Sequence, residues 1–119
     1  MISHIKFVSI PTRDQDRALK FWTEQVGFRV LTDQPFGAQR WIELRVGKSE
    51  TRFVLFTMDG GVQPGMPFNG SLGCDNVEET YQEMAAKGVT FTETPQKQPW
   101  GTFAKFTDPD GNTFVLSSK

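Results

Sequence analysis

The sequence has little of what marks several protein classes. Its 119 residues include one cysteine, Cys74, and one histidine, His4. A lone cysteine excludes an internal disulfide, and we therefore expect a cytoplasmic protein. No apolar run approaches the roughly 20 residues that cross a bilayer, and the start lacks a basic-then-apolar leader pattern. We expect no membrane partner.

An excess of charge of one sign is also absent. Lysine and arginine together number 13, aspartate and glutamate 14, and the formal net charge is −1. Nucleic-acid binding usually needs a clear basic excess, so we expect no nucleic-acid partner. Aromatic residues, in contrast, are plentiful, with 11 Phe and 3 Trp. The length is that of one domain, which buries roughly two thirds of its unfolded surface.

The arrangement of apolar residues and turn signals predicts two copies of one pattern. In the first copy, strand Phe7–Ile10 precedes a helix that Asp14 caps and Gly27 ends, and strands follow at about 28–32, 41–46 and 52–56. In the second copy, a strand at about 71–74 precedes a helix from Asn76 to Gly88, and strands follow at about 89–92, 102–106 and 113–117.

Matching positions of the two copies are separated by a constant distance along the chain. Asp14 and Asn76, Gly27 and Gly88, and Val54 and Val115 each lie 61 or 62 residues apart. Such a period indicates an internal duplication. The predicted fold class is α+β, with two tandem βαβββ modules at about 1–58 and 68–119 and a Gly/Pro-rich linker at about 59–67.

Several short motifs give the chain a family resemblance over its whole length. They are an aspartate followed seven residues later by an aromatic pair (Asp14, Phe21-Trp22), Gly27-Phe28, Pro99-Trp100-Gly101, and the turn Asp108-Pro109-Asp110-Gly111-Asn112. In their order and spacing, the chain resembles the vicinal oxygen chelate superfamily of glyoxalase I, bleomycin-binding proteins and extradiol dioxygenases. The resemblance implies one glyoxalase/bleomycin-resistance-like domain, 1–119, with helices outside a curled mixed sheet. It also implies a ligand cup, often completed by a partner subunit. We expect a homodimer, because two modules leave exposed sheet edges that a second copy commonly covers.

Alternation along the strands separates two faces of the predicted sheet. One face is almost wholly apolar, and we expect it to pack on the helices; it includes Ile10, Ile42, Leu44, Phe53, Leu55, Leu72, Cys74, Phe114 and Leu116. The opposite face mixes aromatic, charged and hydroxyl side chains, as a ligand cup does. Our candidate ligand-pocket residues are Phe7, Trp41, Arg45, Arg52, Val54, Phe56, Asn69, Trp100, Lys105 and Val115.

The resemblance also indicates four positions at which the superfamily carries metal ligands. They hold Phe7, Val54, Asn69 and Val115 here, three of which have no donor atom in the side chain. A divalent ion needs about three protein ligands. His4 lies three residues before the first position and is expected on the opposite strand face, as a solvated side chain. We therefore predict no metal site and no cofactor.

Three functions stay open from the sequence. The first is a protein that binds a small aromatic or amphipathic molecule in a metal-free cup. The alternative is a metal-independent lyase or isomerase, with Glu43 as a general base whose pKa burial raises, and with Arg52 or Lys105 stabilising an anion. The second alternative, if the strand register is misread, is a metal-dependent glyoxalase-like or dioxygenase-like enzyme. A vestigial cup or a pure dimer interface is a further possibility.

Overall fold

Two stretches of the chain each fold into one helix and one four-stranded mixed sheet. The computed structural model describes all residues, 1–119, and the chain divides into two units, Met1–Pro64 and Gly65–Lys119. The fold class is α+β, as predicted, with a β-α-β-β-β order in each unit. None of the helices combines the length and the apolar character that a membrane crossing requires.

The first unit places its first and last strands side by side. Its elements are β1 (Phe7–Ile10), α1 (Gln15–Lys20), a π-helical continuation (Phe21–Val26), β2 (Arg29–Phe36), β3 (Gln39–Arg45) and β4 (Arg52–Leu55). The strand order is β1-β4-β3-β2. β1 and β4 are parallel, whereas β2–β3 and β3–β4 are antiparallel.

The second unit has the same topology. Its elements are β5 (Pro67–Gly73), α2 (Val77–Ala86), β6 (Thr90–Gln98), β7 (Gly101–Thr107) and β8 (Thr113–Ser118). The strand order is β5-β8-β7-β6, and β5 and β8 are the parallel pair. Ser9 pairs with Val54 in the first sheet and Ser71 with Val115 in the second. The register therefore repeats at the period found in the sequence.

Both helices begin where the sequence predicts. The Asp14 carboxylate accepts the Arg17 backbone N–H at 3.0 Å, and the Asn76 side chain accepts the Glu79 N–H at 3.1 Å. Such side-chain acceptors satisfy helix N–H groups that have no partner within the helix. Gly27 ends the first helix in the left-handed conformation, at φ 95°, which glycine adopts without a Cβ clash.

The first helix is not α-helical throughout, which the sequence pattern did not indicate. From Phe21 to Val26 it is a π-helix, whose hydrogen bonds reach five residues back and widen the turn. Phe21 and Trp22 are both buried in this segment. The Trp22 ring stacks on Phe28 at 5.3 Å and meets the edge of Phe53, also at 5.3 Å. The helix thus packs on the face of the first sheet that carries Phe53.

Three strands extend beyond their predicted ends. β2 continues to Phe36 and β6 to Gln98, while β5 begins at Pro67, within the predicted linker, and ends before Cys74. All three are edge strands of their sheets. Edge strands tolerate polar residues and proline, which is why the polar, proline-containing segments were predicted as loops.

The apolar face of each sheet forms the core, largely as predicted. Its buried members are Ile10, Ile42, Leu44, Phe53, Leu55, Phe106, Phe114 and Leu116. Leu72 and Cys74 are only half-buried. On α2, Val77 and Met84 are buried whereas Ala85 is exposed, so the buried stripe of that helix is narrow.

The Asp108–Asn112 turn between β7 and β8 is held by its first side chain. The Asp108 carboxylate accepts the backbone N–H groups of Asp110 and Asn112, at 3.0 and 2.9 Å, and the Asn112 side-chain amide at 2.9 Å. Gly111 adopts φ 81°, a left-handed conformation that favours glycine. Asp108 and Asn112 are buried, so this turn is a structural element.

Candidate functional site

The face of the first sheet opposite the core carries the candidate site. We call it the helix-distal face; its predicted members include Phe7, Ser9, Trp41, Glu43, Arg45, Arg52, Val54 and Phe56. The register brings these side chains to one side, since Glu43 pairs with Val54 and Phe7 with Arg52. Directly paired residues of adjacent strands share a face.

Four aromatic rings meet on this face. Trp41 is central, with ring-centroid distances of 5.4 Å to Phe7, 5.6 Å to Phe36 and 5.4 Å to Phe56. Phe36 also meets Phe56 edge-on at 5.8 Å. We call Phe7, Phe36, Trp41 and Phe56 the aromatic cluster. Phe36 remains 59% exposed, so the cluster presents apolar ring surface to solvent.

A short hydrogen-bond chain joins the aromatic cluster to a charge. The Glu43 carboxylate accepts the Trp41 indole N–H at 2.8 Å and an Arg52 guanidinium N–H at 2.7 Å. The Glu43 side chain is only 16% exposed. The hydrogen bond to Glu43 fixes the plane of the Trp41 ring, because an indole nitrogen has a single N–H to donate.

The expected rise of the Glu43 pKa does not occur. The hydrogen bond from Arg52, together with the one from Trp41, lowers the pKa of Glu43 and outweighs burial, which alone would raise it. The expectation neglected Arg52, whose charge favours the ionised carboxylate. Glu43 instead forms a cross-strand ion pair with Arg52 at 2.7 Å.

Val54 is the predicted pocket residue that solvent does not reach. It is 0% exposed, whereas Phe7, Trp41, Arg52 and Phe56 are half-buried. Arg45 is exposed, and its Nε donates to the Gly47 carbonyl at 3.1 Å. The surface that a ligand reaches on this face is therefore aromatic and cationic.

The second sheet has its own helix-distal face, on which Lys105 pairs with Val115 and Phe103 with Ser117. Asn69 is exposed and Val115 half-buried. Lys105 pairs with Glu93 at 2.8 Å, so its ammonium group already has an anionic partner. Trp100, at the β6–β7 turn, stacks on Phe103 at 5.9 Å and is 60% exposed.

The four superfamily metal positions do not fit a divalent ion. Phe7, Val54 and Val115 have no donor atoms in their side chains, and Asn69 contributes a single neutral amide. His4 contacts Ser3 at 2.9 Å and lies 3.7 Å from Glu50. No three His, Cys, Asp or Glu side chains come together in a metal-ligating group.

Two features of the first unit were not found from the sequence. Phe36 was predicted to lie in a loop, although it joins the aromatic cluster through its pairing with Gln39 at the end of the β2–β3 hairpin. A cavity of about 400 Å³ lies beside Thr12, Arg13, Gln15, Ala38, Gln39, Thr57, Gln63 and Pro64. The Gln15 amide there binds the carbonyls of Arg40 and Leu55, both at 2.6 Å, which is a structural role.

Comparison with known proteins agrees with this architecture. The family model of the Glyoxalase/Bleomycin resistance protein/Dioxygenase superfamily matches residues 2–116. The chain belongs to this superfamily. The β-α-β-β-β order in both units is thus that of a glyoxalase-superfamily protein, as the resemblance implied.

Individual proteins align with this chain along nearly its whole length. YetH of Bacillus subtilis (strain 168) is 38% identical over 120 residues, which cover 98% of this chain and 98% of YetH. TnmS3, an antibiotic binding protein from Streptomyces sp. CB03234, is 35% identical with a TM-score of 0.89, over 98% of this chain and 96% of TnmS3. A glyoxalase/bleomycin resistance protein from the same strain is 34% identical with a TM-score of 0.83, over 96% and 99%.

Proposed function

We propose that this protein binds a small aromatic or amphipathic molecule on the helix-distal face of its first sheet, without a metal ion. The aromatic cluster carries the proposal, because it exposes ring surface beside a fixed indole. Isolated exposed apolar residues are ordinary in soluble proteins. Four rings that contact one another through Trp41, with one of them mostly exposed, form a stacking surface instead.

The geometry of the cluster suits a planar ligand. Aromatic pairs prefer offset or edge-to-face contacts at centroid distances of about 4.5–7 Å, and Trp41 already makes three within that range. The bond from Trp41 to Glu43 reduces the side-chain entropy that binding would otherwise cost. The antibiotic-binding relative TnmS3 supports a small-molecule ligand for this chain as well.

A neutral aromatic probe tests the proposal without any contribution from charge. We expect naphthylbutanamide to change the tryptophan fluorescence of the wild-type protein, with saturation, in chelator-treated buffer. Trp41→Ala removes the central ring of the cluster and is expected to weaken binding at least tenfold, measured by calorimetry. Trp100→Ala is the matched control, because Trp100 is also exposed but lies outside the cluster.

Circular dichroism separates loss of binding from loss of folding. Both variants are expected to keep the wild-type far-ultraviolet spectrum, since neither Trp41 nor Trp100 is in the buried core. Equal binding by the wild-type protein and Trp41→Ala would contradict the proposed surface. A loss of binding in Trp100→Ala alone would transfer the ligand site to the second unit.

We further propose that the protein is a homodimer. The first sheet ends in the edge strand β2, where Val30 and Leu31 are 44% and 40% exposed. Unpaired edges with apolar side chains favour pairing with another chain. Light scattering on a sizing column is expected to give twice the 13.5 kDa mass of one chain for the wild-type protein. For Leu31→Lys, we expect the mass of a single chain. A monomeric wild-type protein would contradict this.

A further inference from the structure

We propose that the ligand carries an acidic oxyanion group, recognised by three arginines on the helix-distal face. This inference rests on the proposed function. Arg29 pairs with Arg45 across β2 and β3, and Arg45 pairs with Arg52 across β3 and β4. We call Arg29, Arg45 and Arg52 the arginine row. Residues paired in this way share a face, with Cβ atoms roughly 5 Å apart.

Like charges directly opposite one another destabilise a sheet, so the arginine row has an energetic cost in the free protein. The only carboxylate that contacts it is Glu43, which binds Arg52. Arg29 makes no ion pair, and the one hydrogen bond of the Arg45 side chain goes to the Gly47 carbonyl. Two guanidinium groups therefore keep most of their N–H donors for an external anion.

The surrounding charge strengthens this surface. Lys6 precedes β1, and its positive charge is a minor cause of the lowered pKa of Glu43, after the bonds from Arg52 and Trp41. The arginine row therefore carries more positive charge than Glu43, its one carboxylate contact, neutralises. A planar guanidinium binds carboxylate and phosphate oxygens in pairs, so the arginine row suits either group.

The arginine row adjoins the aromatic cluster, which limits the shape of the ligand. Trp41, Glu43 and Arg45 occupy every second position of β3 and so share one face. Arg52 pairs with Phe7 of the aromatic cluster. Trp41 and Arg45 are four residues apart, or about 13 Å between Cα atoms at the rise of a strand. The long Arg45 side chain shortens that span. An aromatic ring joined to an acid by a short flexible chain therefore fits both surfaces.

Naphthylbutanoate and its neutral amide test the arginine row, because they differ only in the charge of the head group. By calorimetry, we expect the wild-type protein to bind the acid about tenfold more tightly than the amide, the factor that 1.4 kcal/mol gives. Arg29→Gln and Arg45→Gln should each reduce this ratio toward one and leave the affinity for the amide unchanged. Lys20→Gln removes the same charge from helix α1 and should leave the ratio as in the wild type.

Inorganic pyrophosphate tests the same surface without an aromatic group. At constant ionic strength, it should raise the melting temperature of the wild-type protein and of Lys20→Gln, but not of Arg45→Gln. Without any ligand, Arg45→Gln should be at least as stable as the wild type, because it removes the charge repulsion of Arg45 with Arg29 and with Arg52. A failure to fold therefore does not explain a lost response.

The outcomes separate this inference from the proposed function. Equal affinity of the wild-type protein for acid and amide would overturn the inference and leave the proposed function intact. If neither naphthalene compound binds, the proposed function fails, and pyrophosphate decides the inference. A shift that depends on Arg45 then supports it, and the absence of a shift overturns it. A preference for the acid over the amide that persists in both Arg29→Gln and Arg45→Gln would also overturn the inference.

Discussion

At the scale of single residues, Glu43 organises the helix-distal face. Its carboxylate binds Trp41 of the aromatic cluster and Arg52 of the arginine row. Because these bonds lower its pKa, Glu43 stays ionised well below neutral pH. A lowered carboxylate pKa contributes stability above the ordinary value of 4.5, and this stability is lost as pH falls through the lower, folded-state pKa.

Glu43→Gln tests this contribution. The variant keeps the shape of the side chain but leaves Arg52 without an anionic partner. We expect the free energy of unfolding in urea to fall by about 1 kcal/mol at pH 7, discounted because Arg52 is partly exposed. The difference should shrink as pH falls through the lowered pKa of Glu43, where the wild-type carboxylate takes up a proton. Glu93→Gln, in the more exposed pair with Lys105, should lose less, and equal losses would contradict the argument.

At the scale of elements, the turn between β7 and β8 shows how much a local motif determines. Three hydrogen bonds converge on the Asp108 carboxylate, and Gly111 supplies the left-handed conformation. These interactions span only five residues, which is why the sequence alone predicts a turn here. The predicted ends of β2, β5 and β6 were wrong, because an edge strand takes its conformation from the neighbouring strand rather than from its own composition.

Asp108→Ala is expected to be strongly destabilising. It leaves two backbone N–H groups and the Asn112 amide without their acceptor, in a place where Asp108 and Asn112 are buried. We expect a loss of about 3 kcal/mol in the free energy of unfolding, measured in urea. Pro109→Ala, at an exposed position of the same turn, should lose less than about 1 kcal/mol. Comparable losses in the two variants would show that the stability of the turn does not depend mainly on the Asp108 carboxylate.

At the scale of the whole molecule, the duplication has preserved topology and changed chemistry. Both units keep the same strand order and matching registers. Phe7 and Val54 in the first unit correspond to Asn69 and Val115 in the second. Four contacting rings and three arginines mark the first helix-distal face, whereas the second carries one Trp100–Phe103 stack and a Lys105–Glu93 ion pair. We therefore assign the proposed ligand surface to the first unit.

Metal content is a property of the whole chain. It tests whether the superfamily metal positions, Phe7, Val54, Asn69 and Val115, can hold an ion. Protein purified without chelator is expected to contain no stoichiometric zinc, nickel, manganese or iron by elemental analysis, before and after incubation with each ion. A zinc protein of known metal content, measured in parallel, is the comparison for detection. One equivalent of metal in the wild-type protein would instead mean that other residues bind it.

The sequence by itself determined the features that depend on neighbours along the chain. Asp14 and Asn76 cap helices through bonds three residues away, and alternation separates the core face of each strand from the other. Only the tertiary structure decided which side chains meet across strands. It brought Phe36 into the aromatic cluster, aligned Arg29 with two other arginines, and gave Glu43 its partner. A strand register depends on distant parts of the chain, and a shift of one residue changes every such pair.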